Sequence, residues 1–577
     1  MSTLFDRSQT GTQQQLYRIA DFGGNTVFLV IVGLLCSWAL VSGIQASHDC
    51  QWPAEWDTLR DMGMAQTMLD GRYPEDPILS GKTLWYNPLT GGIIAVASKM
   101  LGLPLNLTSI AIGPYVNLLA PIGIVVLLAL LFGRATALAG LCVVLFAKDP
   151  QTPFWVNACY SPWLLAPLYS VGLLFLTLAA CHYAVVKRSL ALHIAAGLLL
   201  GVTFMAHTAP ALVVGGVMIL TLFIETSLLW HENRRLRQSG SLSEKGHEQQ
   251  LWRLPLCFFV FLTVAFIISL PFTWSILWNY HFKVHNPFPS LFAADYVMLA
   301  QLPDRLREAI NWRNALALAG AVALISRCRR DAKARFVLCW LFVVLAFACQ
   351  YYMWQALLAH RVVLTSFVPG HHAAIHLSAI RAVLFAVGAT SLGGLTTLLL
   401  QRMLKWKPGT EVLLRAGTIG GALLAGLALY LANPITTRVD FISPDRALYQ
   451  QFHELGIPMY QWILENTSPD AVFLCDQESV GMTVVMPAGR KLVAPMLLYS
   501  NPYVPVAPLF DAQKELFDAI EKENQNSFCQ RAQEYPVLYL LVQTEKSQEH
   551  HRQYMTFFDE VQQAGNLVVW RARTCNE

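Results

Sequence analysis

Long apolar stretches separated by polar loops dominate the first three quarters of the chain. A helix needs about 20 apolar residues to cross the hydrocarbon core of a bilayer, which is about 30 Å thick. About eleven stretches approach that length, and they lie at residues 27–41, 110–132, 135–146, 163–186, 190–206, 209–229, 254–272, 309–325, 336–352, 382–400 and 416–432. Only 14% of all residues are charged, against about 25% in soluble proteins. The sequence therefore predicts a polytopic α-helical membrane protein.

Lys and Arg are distributed unevenly among the loops that these stretches define. One set of alternate loops holds about 19 of them and the other set about 11, and loops rich in Lys and Arg normally stay in the cytoplasm. The densest clusters surround Arg234 and Arg327. We therefore expect a cytoplasmic N-terminus, a first apolar stretch that is kept as a span, and a C-terminal region outside the cytoplasmic (inner) membrane. No basic run is long enough to indicate a nucleic-acid partner.

The composition changes after residue 432, where charges become frequent and short β-type runs occur. Strands are predicted at residues 471–475, 491–493, 537–542 and 566–570, and helices at residues 446–466, 508–534 and 548–564. We predict an extracytoplasmic α/β domain at residues 433–577, after a transmembrane domain at residues 1–432. Disulfides can form outside the cytoplasm. The cysteines expected there are Cys50, Cys159, Cys475, Cys529 and Cys575.

Three long external segments are predicted, at residues 46–108, 274–308 and 355–381. External loops of this length usually carry function. The first begins with a short amphipathic helix in which Asp57 and Asp61 are one turn apart. The chain then turns at Asp70-Gly71 and returns towards the membrane with Tyr-Asn-Pro-Leu at residues 86–89. Residues 87–101 are apolar but short and rich in glycine, so we expect an interfacial or re-entrant segment, with a twelfth span as the alternative.

The layout of this first external segment resembles that of the GT-C glycosyltransferases, which use polyprenyl-phosphate-linked sugars. The likeness is closest to the lipid A aminoarabinose transferases and the protein O-mannosyltransferases. In that branch an Asp after the first span is followed at set spacings by Ala and Met, and then by a Gly and a return motif. The matching residues are Asp57, Ala65, Met68, Gly71 and Tyr86-Asn87-Pro88-Leu89. Residues 133–134, 201–210, 468–472 and 489–491 also look like the family.

The chain departs from the family pattern at a few positions. Thr58 stands where the family often has a second acidic residue beside the catalytic Asp. Tyr86 and Asn87 replace the Lys and the first Pro of the return motif. The Asp expected in the second loop is not in register, and Asp149 lies a few positions earlier.

The resemblance implies an inverting transfer, in which an acceptor attacks the anomeric carbon and a lipid phosphate leaves. Asp57 is the expected base that takes the proton of the acceptor; its alternative role is that of a solvated carboxylate at a helix N-terminus. Asp61 and Asp149 are the other candidate catalytic carboxylates. Cationic and hydrogen-bonding groups would bind the donor and stabilise the leaving phosphate. The candidates for substrate binding are Arg60, Tyr86, Asn87, His207, His371, His372 and Arg381.

Some of these residues also have a simpler explanation. His207 can be a structural histidine between two spans, and the cations of the third external segment can contact lipid headgroups. His372 and His376 are one helical turn apart, which is also a spacing that binds metals. A divalent metal is therefore left open, and no other cofactor is expected because no nucleotide-binding loop is visible.

The sequence thus predicts a membrane enzyme that transfers sugar from a polyprenyl-phosphate donor to a lipid, glycan or protein acceptor, with the α/β domain helping to bind the acceptor. One alternative is a transporter or flippase of a lipid-linked sugar. Transporters usually keep ionisable groups near the middle of the bilayer, and the predicted spans contain few. The other alternative is a non-enzymatic membrane scaffold, in which replacement of Asp57 would be harmless.

Overall fold

The computed structural model describes residues 11–53, 55–147, 158–238, 244–291, 302–359, 370–405, 410–432 and 453–573. Up to residue 432 the described chain is mostly helical. The helices are α1 (Gly11–Ser47), α2 (Trp56–Leu69), α3 (Leu89–Leu101), α4 (Leu105–Val116), α5 (Leu119–Phe132), α6 (Arg134–Phe146), α7 (Ala166–Lys187), α8 (Leu190–Ala206), α9 (Thr208–Gln238), α10 (Glu244–Trp274), α11 (Phe288–Leu291), α12 (Leu302–Glu308), α13 (Trp312–Arg327), α14 (Ala332–Ala359), α15 (Gly370–Leu404) and α16 (Thr410–Ala432).

Eight helical stretches in the described part of the chain are long and apolar enough to cross a membrane. They are Asn25–Ser47, Leu105–Phe132, Ala166–Lys187, Thr208–His231, Arg253–Asn279, Ala332–Gln350, His372–Leu404 and Glu411–Ala432. Each overlaps one predicted span. The three other predicted spans are the shorter helices α6, α8 and α13, of 13, 17 and 16 residues. The prediction of a polytopic α-helical membrane protein is confirmed.

Helix α3 occupies the segment that was expected to be interfacial or re-entrant. It has 13 residues, and at 1.5 Å per residue it is about 20 Å long. That length is well short of the roughly 30 Å of hydrocarbon that a spanning helix must cross. Its first half is mostly buried, whereas Val96, Met100 and Leu101 near its end are exposed.

The third external segment, predicted as a loop at residues 355–381, is mostly helical, because α14 and α15 extend into it from either side. The histidines and the arginine of this stretch suggested a loop. They alternate with Ile375, Ala379 and Ile380, which are buried against neighbouring helices. A buried apolar face stabilises a helix even when its other face is polar. Residues 360–369, between the two helices, lie outside the described residues.

Glycines allow three of the membrane helices to approach closely. A Cβ added at Gly320 of α13 would overlap the carbonyl oxygen of Leu384 in α15. A Cβ added at Gly393 of α15 would likewise overlap the carbonyl oxygen of Gly417 in α16. Small residues at such contacts permit close van der Waals packing, which is a main source of attraction between helices in lipid.

The described chain from residue 453 onwards forms an α/β domain, which we call the outer domain. Its strands are β1 (Ala471–Cys475), β2 (Lys491–Leu492), β3 (Val537–Gln543), β4 (Phe558–Ala564) and β5 (Leu567–Ala572), and its main helices are α17 (Ile457–Asn466), α18 (Ala507–Glu521), α19 (Gln525–Ala532), α20 (Thr544–Glu549) and α21 (His551–Phe557). The strands form one sheet in the order β2-β1-β3-β5-β4. Pairing is parallel among β2, β1 and β3 and antiparallel at β3–β5 and β5–β4. The predicted α/β domain is confirmed.

The helix predicted at residues 548–564 is wrong beyond Phe557, because the chain continues as the edge strand β4. Most of β4 is polar and exposed, so its local sequence does not favour a strand. Gly565, with a φ of +61°, turns the chain back so that β4 pairs with β5. Pairing with β5 therefore outweighs the low strand propensity of residues 558–564. The helix predicted at residues 508–534 is also divided, into α18 and α19.

Cysteines expected outside the cytoplasm differ in their state. Cys529 of the outer domain forms a disulfide. Cys475 carries a free thiol. Cys575 lies outside the described residues.

One apolar cluster joins the first external segment to the outer domain. It contains Leu59, Met62 and Ala65 of α2 together with Met482 and Met486 of the outer domain. Residues of the short helix α3 belong to the same cluster. Helix α2 is therefore enclosed between the membrane helices on one side and the outer domain on the other.

Candidate functional site

Helix α2 carries three charged side chains in contact near its start. Arg60 Nη1 donates to Asp57 Oδ1 at 2.9 Å. Arg60 Nη2 and Nε donate to Asp61 Oδ1 at 3.0 and 3.2 Å. Positions three and four apart share one helix face, so the two carboxylates lie on the same face, as their spacing predicts. The guanidinium of Arg60 lies between them.

The two carboxylates differ in exposure. The side chain of Asp57 is 37% exposed, whereas that of Asp61 is fully buried. Asp61 Oδ2 has no hydrogen-bond partner, and leaving a buried carboxylate oxygen unpaired is energetically unfavourable. Of the two, only Asp57 is accessible to a substrate.

Aromatic rings cover the guanidinium of Arg60. Its Cζ atom lies 3.5 Å from the ring centroid of Tyr86 and 6.0 Å from that of Tyr499, which belongs to the outer domain. The ring of Trp56 lies 6.2 Å from that of Tyr499. Aromatic faces attract a cation and shield it from water, and Arg60 is only 5% exposed. Arg60 therefore contacts carboxylates rather than open space, which favours a positioning role over the predicted contact with substrate.

Two carboxyl groups at the start of α2 are made less acidic by their surroundings. Burial raises the pKa of Asp61 to about 7, with Arg60 opposing the rise and Asp57 adding to it. Burial, followed by the negative charge of Asp57, raises the pKa of Glu55 to about 7. Both groups therefore titrate close to neutral pH. Sequence reasoning did not select Glu55, although a carboxylate two residues before the candidate base was a visible signal.

Asn87 connects the return segment, residues 86–89, to the junction between α8 and α9 by hydrogen bonds. Its Nδ2 donates to the backbone oxygen of Phe204 at 2.6 Å and to Thr208 Oγ1 at 3.1 Å. Asn87 directly follows Tyr86, whose ring covers Arg60. The return segment therefore connects the Arg60 group with the α8–α9 junction.

His207 and His372 come together beside that junction. His207 follows the last residue of α8 and is 4% exposed. Its ring centroid lies 4.6 Å from that of His372, near the start of α15. The sequence placed His207 between two spans and His372 in the third external segment, and the structure brings them into contact.

The other three predicted residues are Arg381, His371 and Asp149. Arg381 belongs to α15 and lies about 13 Å further along the helix than His372, at 1.5 Å per residue. It is thus inside the candidate span His372–Leu404 and not in an external loop. His371 lies in the first turn of α15, and its side chain is outside the described part. Asp149 lies outside the described residues, and its catalytic role stays a prediction.

A different ionic group lies at the other end of α2. The buried Arg490 donates from Nη1 to Asp70 Oδ2 at 3.1 Å and to the carbonyl oxygen of Ala488 at 2.9 Å. Its Nε and Nη2 donate to the hydroxyl and carbonyl oxygens of Thr467 at 3.1 and 3.0 Å. Gln66 Nε2 donates to Asp70 Oδ1 at 2.8 Å. The family-like residues 489–491 therefore link the outer domain to the first external segment.

The segment after α2 is also attached to the outer domain. Lys491, which is 1% exposed, donates from Nζ to the backbone oxygen of Asp76 at 2.5 Å and lies 3.3 Å from Glu75 Oε1. The buried carboxylate of Asp76 accepts from two backbone amides of its own turn and from Asn501 Nδ2 at 3.2 Å. Burial raises the pKa of Asp76, and these hydrogen bonds oppose the rise.

The residues at the start of α2 do not fit a bound divalent metal. The guanidinium of Arg60 occupies the place between Asp57 and Asp61 where a bridging cation would have to lie. Among the described residues, no group of three or more His, Cys, Asp and Glu side chains has an arrangement that could hold a metal ion. A metal elsewhere, as the spacing of His372 and His376 suggested, stays a prediction.

Comparison with known sequences gives no match to any protein-family model and none to any curated protein. Solved structures do match. The apo structure of ArnT from Cupriavidus metallidurans has a TM-score of 0.52 and 12% sequence identity, and the match covers 96% of this chain and 98% of that chain. The apo oligosaccharyltransferase from Archaeoglobus fulgidus has a TM-score of 0.50 and 12% identity, with 91% of this chain and 71% of that chain covered.

A second structure of the same ArnT, bound to undecaprenyl phosphate, has a TM-score of 0.48 and 13% identity, with 95% of this chain and 98% of that chain covered. ArnT and the archaeal oligosaccharyltransferase are both GT-C proteins. At 12% identity the likeness concerns the path of the backbone. The match to apo ArnT takes in nearly the whole chain. The resemblance inferred from the first external segment is thus confirmed at the level of the fold, which this chain shares with ArnT and the archaeal oligosaccharyltransferase.

Proposed function

We propose that this protein is an inverting glycosyltransferase that moves a sugar from a polyprenyl-phosphate carrier to an acceptor at the outer face of the cytoplasmic membrane. The observation that carries the proposal is the Asp57–Arg60–Asp61 group, in which a half-exposed carboxylate is fixed by a buried arginine. The group lies where α2 meets the membrane domain, since Thr58 Oγ1 donates to the backbone oxygen of Leu164 just before α7. The class of donor comes from the sequence resemblance.

Asp57 is the best candidate for the catalytic base. Its side chain is accessible, and its orientation is fixed by the hydrogen bond from Arg60. A base must reach within hydrogen-bond distance of the proton that it takes. Asp61 is fully buried and so cannot approach an acceptor. Its contribution is to hold Arg60, and through Arg60 to hold Asp57.

The chemistry requires one displacement. A hydroxyl or amine of the acceptor forms a bond to the anomeric carbon of the sugar from the face opposite the phosphate. The bond between that carbon and the phosphate oxygen breaks, and the polyprenyl phosphate leaves with the electron pair. Asp57 takes the proton that the acceptor loses. The configuration at the anomeric carbon is therefore inverted.

The leaving phosphate needs hydrogen-bond donors or positive charge near it. We assign this role to the adjacent His207 and His372, which lie at the α8–α9 junction beside the return segment. Arg381 is a further candidate because ionisable residues within spans usually have a function. Asn87 is fully engaged with the α8–α9 junction and would act by positioning.

Two observations favour an outer domain that lies outside the cytoplasm. Lys and Arg are concentrated in the loops on the opposite side of the predicted topology. Cys529 forms a disulfide, and disulfides are typical of oxidising compartments. The outer domain and the start of α2 would then face the acceptor from the same side of the membrane.

The proposal is tested with purified protein in lipid vesicles and a panel of radiolabelled polyprenyl-phosphate sugars. Transfer of label from a donor to a membrane or protein acceptor, with inverted anomeric configuration in the product, is the expected result. Retained configuration would overturn the single displacement. Movement of intact lipid-linked sugar across the bilayer, without transfer to any acceptor, would reject the enzyme in favour of a flippase.

A further inference from the structure

The outer domain contacts α2 along one side of the helix. A Cβ added at Gly63 would overlap the backbone oxygen of Met486, so the helix and this segment of the outer domain are in backbone contact. Gly489, with a φ of +65°, lies against the side chain of Gln66. This conformation is one that few other residues adopt. The two surfaces are therefore fitted to each other at the level of the backbone.

The membrane domain contacts the opposite side of the helix. Gly91 of α3 lies against Met64, where an added Cβ would come within 2.8 Å of the Met64 Cβ. Thr58, near the start of α2, is bonded to Leu164. Helix α2 is thus held on one side by membrane helices and on the other by the outer domain.

Arg490 forms a buried polar link between the end of α2 and the outer domain. It is 3% exposed and donates to oxygen atoms of Asp70, Ala488 and Thr467. Asp70 ends α2, whereas Asp57 lies in its first turn. A helix of 14 residues is about 21 Å long and behaves as a stiff rod. A constraint on Asp70 therefore also limits the position of Asp57.

The outer domain also extends to the start of α2. Tyr499 of the outer domain lies 6.0 Å from the guanidinium carbon of Arg60 and 6.2 Å from the ring of Trp56. The outer domain therefore contacts both ends of the helix, with Arg490 at one end and Tyr499 at the other.

We propose that the outer domain is an integral part of the candidate active site, in which Arg490 is a positioning residue that holds α2, and hence the Asp57–Arg60–Asp61 group, against the membrane domain. This inference rests on the proposed function for its catalytic meaning. It goes beyond the expectation that the α/β domain helps to bind the acceptor. Loss of the link should therefore lower turnover more than donor binding.

The test combines hydrogen exchange and transfer kinetics on the full-length protein in lipid. Arg490→Met removes the link, Arg490→Lys keeps the charge, and Asp70→Asn weakens the link while leaving the bonds of Arg490 to Thr467 and Ala488 in place. The control is Arg531→Met, which removes ion pairs to Glu515 and Glu534 elsewhere in the outer domain. Asp70→Asn also serves if Arg490→Met does not fold.

We expect amide exchange in α2 to be at least about tenfold faster in Arg490→Met and Asp70→Asn than in wild type, with a smaller rise in Arg490→Lys and none in Arg531→Met. The turnover number should fall about tenfold in the first two variants while KM for the donor changes less than about threefold. Unchanged exchange in α2, or faster exchange with normal turnover, would overturn the proposal. Exchange is measured without any substrate, so a wild-type protein that transfers no sugar rejects the proposed function and not the coupling.

Discussion

Helix α2 has an arginine–carboxylate group at each end, and the two groups are built differently. At the start, Arg60 bonds to Asp57 and Asp61, and one oxygen of the buried Asp61 has no hydrogen-bond partner. At the end, Arg490 bonds to Asp70, and its remaining nitrogen atoms donate to oxygens of neighbouring residues.

This difference separates a site from a structural link. Fully paired polar groups stabilise one arrangement and resist change. A group with an unpaired oxygen and carboxyl pKa values raised to about 7 is held in an unfavourable state by the surrounding fold. Such states are concentrated at functional sites. We therefore expect substitutions at the start of α2 to act mainly on the rate of sugar transfer. Substitutions at its end should act mainly on the structural order of the helix.

The largest contrast should come from Arg60→Met set against Arg490→Met. Removal of Arg60 leaves two carboxylates without their counter-ion, which costs about 3–5 kcal/mol for a buried pair, and releases Asp57 from its orientation. Transfer by the folded fraction should fall at least about 100-fold, against about tenfold for Arg490→Met. Arg60→Lys should rescue little, because an ammonium cannot reproduce the fork of the guanidinium. Equal losses of transfer in the two Met variants would remove the distinction between the two ends.

The next contrast is between wild type and Asp61→Asn, whose stabilities should depend differently on pH. The pKa of Asp61 is raised from 3.8 to about 7 in the folded state. Its stabilising contribution is therefore present below about pH 4 and is lost as the pH rises to about 7. The wild type should lose a few kcal/mol relative to the variant over that range. Thermal unfolding of both proteins at pH 5 and pH 8 measures the difference, and a constant offset would contradict the raised pKa.

A smaller loss of stability is expected when the backbone contact between α2 and the outer domain is disturbed. Gly63→Ala places a methyl group against Met486 and should destabilise the protein by about 1–3 kcal/mol. Gly92→Ala in α3 is the matched control, because an added Cβ there meets only the Met68 sulfur at 3.9 Å. That variant should be neutral or slightly stabilising, since Ala favours a helix. Similar melting temperatures for the two variants would show that α2 is not in close contact with the outer domain.

The smallest effect concerns Glu55. Its pKa of about 7 makes it largely neutral at pH 6 and ionised at pH 8. Its negative charge should favour the transfer of the acceptor's proton towards the neighbouring Asp57. Glu55→Gln should therefore transfer sugar like wild type at pH 6 and about threefold more slowly at pH 8. A constant ratio of the Glu55→Gln rate to the wild-type rate between pH 6 and pH 8 would show that the ionisation of Glu55 does not affect transfer.

The sequence predicted the parts of the site that depend on local order. The spacing of Asp57 and Asp61 placed both on one helix face, and the apolar stretches located the helices. It could not predict contacts between distant segments, such as Arg490 with Asp70, which are 420 positions apart, or Tyr499 with Arg60. The sequence placed Arg381 in a loop because the polar residues near it obscured the helical pattern of apolar residues that are buried in α15.

The most direct test of the central claim is single-turnover transfer from a bound polyprenyl-phosphate sugar by wild type and Asp57→Asn. The amide cannot accept the proton of the acceptor, so the rate of the chemical step should fall at least about 100-fold. Binding of the donor and the melting temperature should stay close to wild type, because Asp57 is half-exposed and Arg60 keeps its ion pair with Asp61. A variant that transfers sugar at the wild-type rate would contradict the account and remove Asp57 from the reaction.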